Sequence, residues 1–385
     1  MKRLMILASC CLIAMSSFAQ QQLGQRPRVK SPVINADGTV TFNLYAPSAQ
    51  RVSVSGDFEE IHGKRLDMTK QENGVWTVTT EALNPELYSY SISVDGQRFI
   101  DPGNSYVNRD ISTLSNIFIV TKSADDKGHL YSVNDVPHGT LSRVWYDSPT
   151  LGQQRRMTVY LPAAYDGKKS FPVMYLLHGH GGDETAWGDL GRASQIMDNL
   201  IAQGKALPMI VVMPNGHPAM EAAPGESSWG LYKPFHSRVY GGDGTFEKHF
   251  AEIMAWAESE YRIQADKQHR AIAGLSMGGG HTNTISRLYR NTFDYVGLFS
   301  AGLIRSGRGK FYDNMDQLLQ QQIKDGVKLY WVGCGKEDFL YKSVQDHLKL
   351  LEKYGQKYTY RESGDGHVWK NWRIYLSEFA PLLFK

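Results

Sequence analysis

The sequence predicts an α/β fold, a mostly parallel sheet covered by helices on both faces, preceded by a small antiparallel β-sandwich. Three observations carry this. Residues 28–120 alternate apolar and polar positions, the period of half-buried strands. Beyond residue 150 short continuous apolar runs alternate with amphipathic helical stretches, the pattern of parallel strands buried on both faces. The 385 residues suffice for two domains at roughly 150 residues each.

In the first region Val40, Phe42 and Leu44 share one face of a strand, Val52 and Val54 mark a second, Trp76 and Val78 a third, and Tyr88, Tyr90, Ile92 and Val94 a fourth. Between them stand Asp37-Gly38, Asn73-Gly74 and Asp95-Gly96, dipeptides that supply the positive φ of tight hairpin turns. Residues 121–135 are polar and aperiodic and read as a linker. From 136 to 385 the runs MTVYLP, VMYLLHG, MIVVMPNG, RAIAGLS, YVGLFSAG and KLYWVGCG are separated by helical stretches such as FEKHFAEIMAWAESEYR and VQDHLKLLEKYG, making one domain of ordinary size.

Residues 1–19 read as a cleaved secretory signal: Lys2 and Arg3, an apolar stretch from Leu4 to Met15, then Ser17 and Ala19. That stretch is short of the roughly 18 residues a membrane helix needs, so a secreted or periplasmic protein without a membrane span is expected. Leu7-Ala8-Ser9-Cys10 also resembles a lipoprotein cleavage box. Cleavage after Ala19 removes two cations and no acid, lowering the formal charge from +3 to +1. With 42 Lys and Arg against 39 Asp and Glu and no basic run, no nucleic-acid partner is expected. Cys334 alone survives cleavage, so no intrachain disulfide forms. Its place in the run LYWVGCG reads as a buried structural thiol.

The chemistry centres on Gly274-Leu275-Ser276-Met277-Gly278. Gly-x-Ser-x-Gly is a common pattern by itself. Directly after a strand and before a helix it marks the sharp elbow that lifts a serine hydroxyl above the sheet. Such a serine needs a base and an orienting acid, in chain order Ser, acid, His. Of the later histidines, His281 lies on the helix leaving the elbow, and His347 on an amphipathic helix whose polar residues read as a solvated face. His367 follows the strand-like KYTYRE in a glycine-rich loop, where a base belongs. Asp338, in the loop after KLYWVGCG, is the expected acid, with its neighbour Glu337 as the alternative. The oxyanion donors are expected to be the backbone amides of Met277 and of His180, the latter in the loop His178-Gly179-His180-Gly181-Gly182-Asp183. The same loop admits a rival metal reading through His178-x-His180 and Asp183, but Glu184 stands where the zinc motif has a final histidine. No metal and no other cofactor is expected.

With these residues in place, 136–385 resembles the esterase-D type of α/β-hydrolase, which includes feruloyl and acetylxylan esterases, S-formylglutathione hydrolases, enterochelin esterases and mycolyltransferases. The resemblance rests on LLHGHGG with Glu184 and Trp187 following, GLSMGG, GKED and GDGHVWKNW. It implies Ser276 as nucleophile, Asp338 as acid, His367 as base, and the His180 and Met277 amides as the oxyanion site. The N-terminal region resembles the immunoglobulin-like domain of family-48 carbohydrate-binding modules through APSAQRVSVSGDF, GVW, LYSYSISVDG and Asp101-Pro102. It departs where Glu59-Glu60-Ile61 replaces an expected aromatic, so a role in packing and shaping the cleft stands beside glycan binding.

Export together with a glycan-module-like domain resembles the plant cell-wall esterases. The expectation is a serine carboxylesterase that removes feruloyl groups from arabinoxylan. Acetylxylan esterase is the alternative, followed by an enterochelin-type esterase or a non-catalytic glycan-binding protein. The partner is cell-wall polysaccharide or its oligosaccharide esters. The loop from about Asn215 to Gly244, with Trp229, Tyr232, Phe235 and Tyr240, reads as a substrate wall. Trp187, Trp229 and Trp369 are the expected substrate contacts, since aromatic faces suit a phenolic acyl group or a sugar.

Overall fold

The computed structural model describes residues 29–58, 65–110, 113–228, 244–303 and 310–385. The leader, Glu59-Glu60-Ile61, and Trp229, Tyr232, Phe235 and Tyr240 lie outside the described residues.

The N-terminal strands are β1 (Val33–Ile34), β2 (Val40–Tyr45), β3 (Val52–Gly56), β4 (Leu66–Asp67), β5 (Thr69–Lys70), β6 (Val75–Thr79), β7 (Glu86–Val94), β8 (Gln97–Phe99), β9 (Val107–Asp110) and β10 (Thr113–Val120). They form one sheet in the order β1-β2-β6-β5 and a second in the order β4-β3-β7-β10-β9, with β8 on β7. The period-two alternation is what lets two such sheets close on each other. Val40, Phe42, Val52, Val54, Trp76, Tyr90 and Ile92 all point into one buried cluster between them. Asp95 and Gly96, at φ 48° and 85°, close the hairpin of β7 and β8, a turn that needs positive φ at both central positions.

Residues 121–135 are more than a tether. They contain α1 (Lys127–Tyr131), capped by Asp126, whose carboxylate accepts the His129 amide. Tyr131 at its end is fully buried.

The second region contains β11 (Thr140–Ser148), β12 (Gln153–Leu161), β13 (Val173–Leu177), β14 (Ile210–Pro214), β15 (Arg270–Leu275), β16 (Tyr295–Phe299), β17 (Leu329–Gly335) and β18 (Thr359–Ser363). Among the described residues they form one sheet in the order β11-β12-β14-β13-β15-β16-β17-β18. β11, β12 and β14 pair antiparallel, and every pairing from β14 and β13 onward to β18 is parallel. Two apolar clusters flank it. On one face Met174 and Leu176 meet α3 (Ala193–Ala202) and α8 (Trp369–Phe379). On the other, Val173, Tyr175 and Leu177 meet α4 (Thr245–Glu260), α5 (Met277–Leu288), α6 (Met315–Asp325) and α7 (Tyr341–Tyr354). A further single turn, α2 (Ala186–Asp189), follows β13.

The sandwich does not stand apart from this sheet. Leu87 of β7 and Ile117 of β10 belong to the same buried cluster as Tyr131, Trp372 and Phe379, so one core runs through both regions. No helix among the described residues is long and apolar enough to cross a membrane.

Candidate active site

Parallel strands end on one edge of the sheet, and loops leaving that edge collect reactive groups. β15 ends at Leu275 and α5 begins at Met277, leaving Ser276 alone to reverse the chain. It does so at φ 53° and ψ −114°, a conformation that costs a non-glycine residue of order 1–3 kcal/mol and persists only when its surroundings fix it. They do. The Ser276 amide donates to the Phe299 carbonyl at 2.9 Å, and its carbonyl accepts the Gly302 amide at 2.7 Å. The elbow also explains its glycines: a Cβ on Gly278 would lie 2.5 Å from the carbonyl oxygens of Leu177 and His178, both rigid backbone.

Asp338 stands three residues beyond β17 and His367 four beyond β18. The His367 Nδ1 lies 3.0 and 2.8 Å from the two Asp338 carboxylate oxygens. Asp338 is buried. Burial alone raises its pKa, but hydrogen bonds from His367 and the Leu340 amide outweigh that and hold it below the ordinary carboxylate value. An ionised Asp338 accepts only, so Nδ1 is the donor and Nε2 keeps its lone pair. The ring is held edge-on to Trp372 at 4.9 Å and against Phe339 at 4.5 Å, and the Asn371 amide ties down the loop through the Gly364 and Gly366 carbonyls at 3.0 Å each. Of the two candidate acids it is Asp338 whose carboxylate meets the ring, while the Glu337 amide donates to the Asp365 carbonyl.

The glycine loop after β13 lies over the elbow. A Cβ on Gly179 would come within 3.3 Å of the Ser276 Cβ. The loop is fastened from below: His217 Nε2 donates to the His180 carbonyl at 2.7 Å, and the Gly216 amide donates to His178 Nε2 at 2.8 Å. His178 Nδ1 is then the donor to the Gly179 carbonyl at 2.7 Å, so both of its ring nitrogens are engaged with the main chain. Burial drives the pKa of His178 down to about 4 and that of His217 to about 2, so both are neutral. His180 and Asp183 part company. His180 lines the cleft, whereas the buried Asp183 binds Arg109 and Thr185.

Ser276, His367 and the loop from Gly179 to Gly182 share a cleft of about 660 Å³, a usual size for a small-ligand site. Its other walls are Phe339, Trp369 and Trp372 and, from the sandwich, Tyr88, Asp110, Thr113 and Ser115. Across the joint, burial raises the pKa of Asp110, with Arg109 and the neighbouring Trp369 indole opposing it.

Two sequence expectations need correction. Trp187 is not a cleft residue: it is 1% exposed, its indole N–H donates to the Leu177 carbonyl at 3.0 Å, and Trp369 packs edge-on at 5.3 Å. It supports the wall that Trp369 forms. His347 is not on a solvated face but buried, 3.2 Å from the Tyr330 hydroxyl. The i, i+3, i+4, i+7 spacing of Val344, His347, Leu348 and Leu351 carried that signal. Trp229 lies outside the described residues. His281 turns away from the cleft to the buried Glu247 at 3.0 Å, and Cys334 is fully buried with its thiol pushed up to about 12 by burial. The sandwich residues of the cleft carried no motif and were missed.

The family described as putative esterase matches residues 148–382, and the carbohydrate-binding module 48 (isoamylase N-terminal domain) family matches 23–109. Among curated proteins, an endo-1,4-beta-xylanase/feruloyl esterase of Xylanibacter ruminicola is 33% identical over 94% of this chain and 47% of its own. Endo-1,4-beta-xylanase Y of Acetivibrio thermocellus is 25% identical over 60% of this chain and 22% of its own. The chain thus spans less than half the length of either. Among solved structures, a ferulic acid esterase of Anaeromyces mucronatus in complex with ferulic acid aligns with a TM-score of 0.55 at 25% identity, covering 66% of this chain and 93% of that one. The enterobactin esterase of Shigella flexneri aligns at 0.62 over 90% of this chain and 93% of its own, at 14% identity, a likeness of fold alone.

Proposed function

The chain belongs to the putative esterase family, and from that premise we propose that it is a secreted serine carboxylesterase that removes feruloyl groups from arabinoxylan, with Ser276, His367 and Asp338 as nucleophile, base and acid. The observation that carries this is the Asp338–His367 hydrogen bond at the edge of a cleft that a strained Ser276 also lines.

His367 Nε2 takes the Ser276 proton as Oγ attacks the ester carbonyl, and the oxyanion rests on the amides of His180 and Met277. The imidazolium gives that proton to the departing sugar hydroxyl. Water, deprotonated by the same nitrogen, then attacks the acyl-serine, releasing the acid and restoring Ser276. No step calls on a metal or an organic cofactor.

The aromatic wall of Phe339, Trp369 and Trp372 suits a phenolic acyl group better than an acetyl. The sandwich side chains Asp110, Thr113 and Ser115 suit sugar hydroxyls. The name of the Xylanibacter ruminicola relative joins xylan cleavage to feruloyl release, and the leader pattern supports export to where such polymers are found.

The test compares ferulate release from methyl ferulate and feruloylated arabinoxylan with acetate release from acetylated xylan, for the parent enzyme and Ser276→Ala. Ferulate release that Ser276→Ala abolishes is expected. Acetate release without ferulate release overturns the substrate, and residual turnover in Ser276→Ala overturns the mechanism.

A further inference from the structure

The glycine loop that carries the His180 amide has two ends with different supports. At its start His178 directly follows β13 of the hydrolase sheet and is locked by Gly179 and Gly216. At its other end Asp183 is 2% exposed, and its Oδ1 accepts the Thr185 amide and hydroxyl at 3.0 and 2.7 Å. Its Oδ2 receives the Arg109 guanidinium from β9 of the sandwich. The preceding residue of the same strand holds the following turn as well, since Asn108 Nδ2 donates to the Asp189 carbonyl at 3.1 Å. One sandwich strand therefore grips both ends of the segment Asp183–Asp189.

A buried carboxylate that loses its cation must find another partner, take a proton or move toward water. Between His178 and Asp183 the chain is Gly-His-Gly-Gly, so apart from the His217 bond to the His180 carbonyl and the Gly182 amide's bond to the Gly179 carbonyl, the resistance to a shift of that end comes from Asp183. The amide it carries must sit about 2.7–3.1 Å from the developing oxyanion, and a displacement of about 1 Å costs on the order of 10²-fold in rate.

We infer that Arg109 is a positioning residue for ester hydrolysis, fixing through Asp183 the loop that presents the His180 amide. The sandwich then takes part in turnover even of an ester too small to touch it. This rests on the proposed mechanism, in which that amide receives the oxyanion.

The experiment uses the full chain, 4-nitrophenyl acetate as substrate, and a trifluoromethyl ketone, whose adduct with serine places an oxyanion in the same site. Arg109→Ala is expected to lower kcat about tenfold or more with KM within twofold, and to weaken the ketone by the same factor. Arg109→Lys should recover part of both, and Asp183→Asn should reproduce the Ala losses should Arg109→Ala not fold. Circular dichroism and melting establish the folded fraction. Folded variants with parental kcat, or with kcat lowered and ketone affinity unchanged, overturn the inference. Residual turnover in Ser276→Ala overturns instead the mechanism on which it rests.

Discussion

Arg373 donates to Glu86 across the joint between helix and sandwich, with Nη2 3.0 Å from Oε1 and both side chains 3% exposed. The same guanidinium holds the Leu87 and Leu190 carbonyls at 3.0 and 3.1 Å and lies 5.3 Å over the Tyr131 ring. Arg373 sits on α8, which starts two residues after His367. The helix behind the histidine loop is thus packed against β7 by a buried ion pair. Removing one partner leaves the other charge buried without compensation, which costs about 3–5 kcal/mol. Glu86→Ala should therefore lower the unfolding free energy by about that much in urea titrations followed by tryptophan fluorescence. A loss below about 1 kcal/mol, the range of exposed pairs, would contradict the reading.

Acid should unfold the protein early. Burial lowers the pKa of His178 and His249 to about 4 and of His217 to about 2, and holds His347 well below its ordinary 6.5. In each case the unfolded chain binds the proton first. The stability from keeping these rings neutral is therefore fully present above about pH 6.5 and drains away as the pH falls toward 4. The slope is about 1.4 kcal/mol per pH unit for each ring. Urea midpoints at pH 7, 6 and 5 should fall increasingly steeply. Substituting His249→Gln should make the profile shallower by about one proton. Equal midpoints at pH 7 and 5 would refute it.

Asp338→Asn tests the orientation of His367. An amide can donate to Nδ1 as well as accept from it, which stabilises the tautomer whose Nε2 carries the proton and cannot take one from Ser276. A kcat lowered by about 10³- to 10⁴-fold is expected, with KM nearly unchanged and near-parental circular dichroism. Retention of more than about a tenth of parental kcat would remove Asp338 from the proposed role.

How much of this was legible in the sequence follows from how far each signal reaches. Ser276, Asp338 and His367 each sit just beyond a strand, and an apolar run ending in glycines or acids can be read locally. The strand faces of Phe42, Val54 and Tyr90 follow from period two alone. The contacts of Arg109 with Asp183 and of Arg373 with Glu86 join residues 74 and 287 positions apart, and no local pattern reports which sheet face docks on which helix. Nor did the polar stretch 121–135 reveal that its one tyrosine, Tyr131, completes the core between the two regions.

The two tryptophans show the same limit and allow the sharpest contrast. Both flank glycine-rich loops and were expected to touch substrate, yet a one-turn helix such as α2 has too few residues for a period to tell which side faces inward. The structure gives them opposite fates: Trp187 is sealed under the cleft and Trp369 forms its wall. Trp187→Ala should empty a core site and strand the Leu177 carbonyl, lowering stability by about 3–5 kcal/mol. Trp369→Ala removes contact area from an open wall, so its main effect should be a severalfold rise in KM for methyl ferulate. Its KM for 4-nitrophenyl acetate should change less, because an acetyl group does not reach the wall. Paired thermal melts and steady-state kinetics check both. Trp369→Ala with parental ferulate KM, or Trp187→Ala with parental stability, would reverse the assignment for that residue.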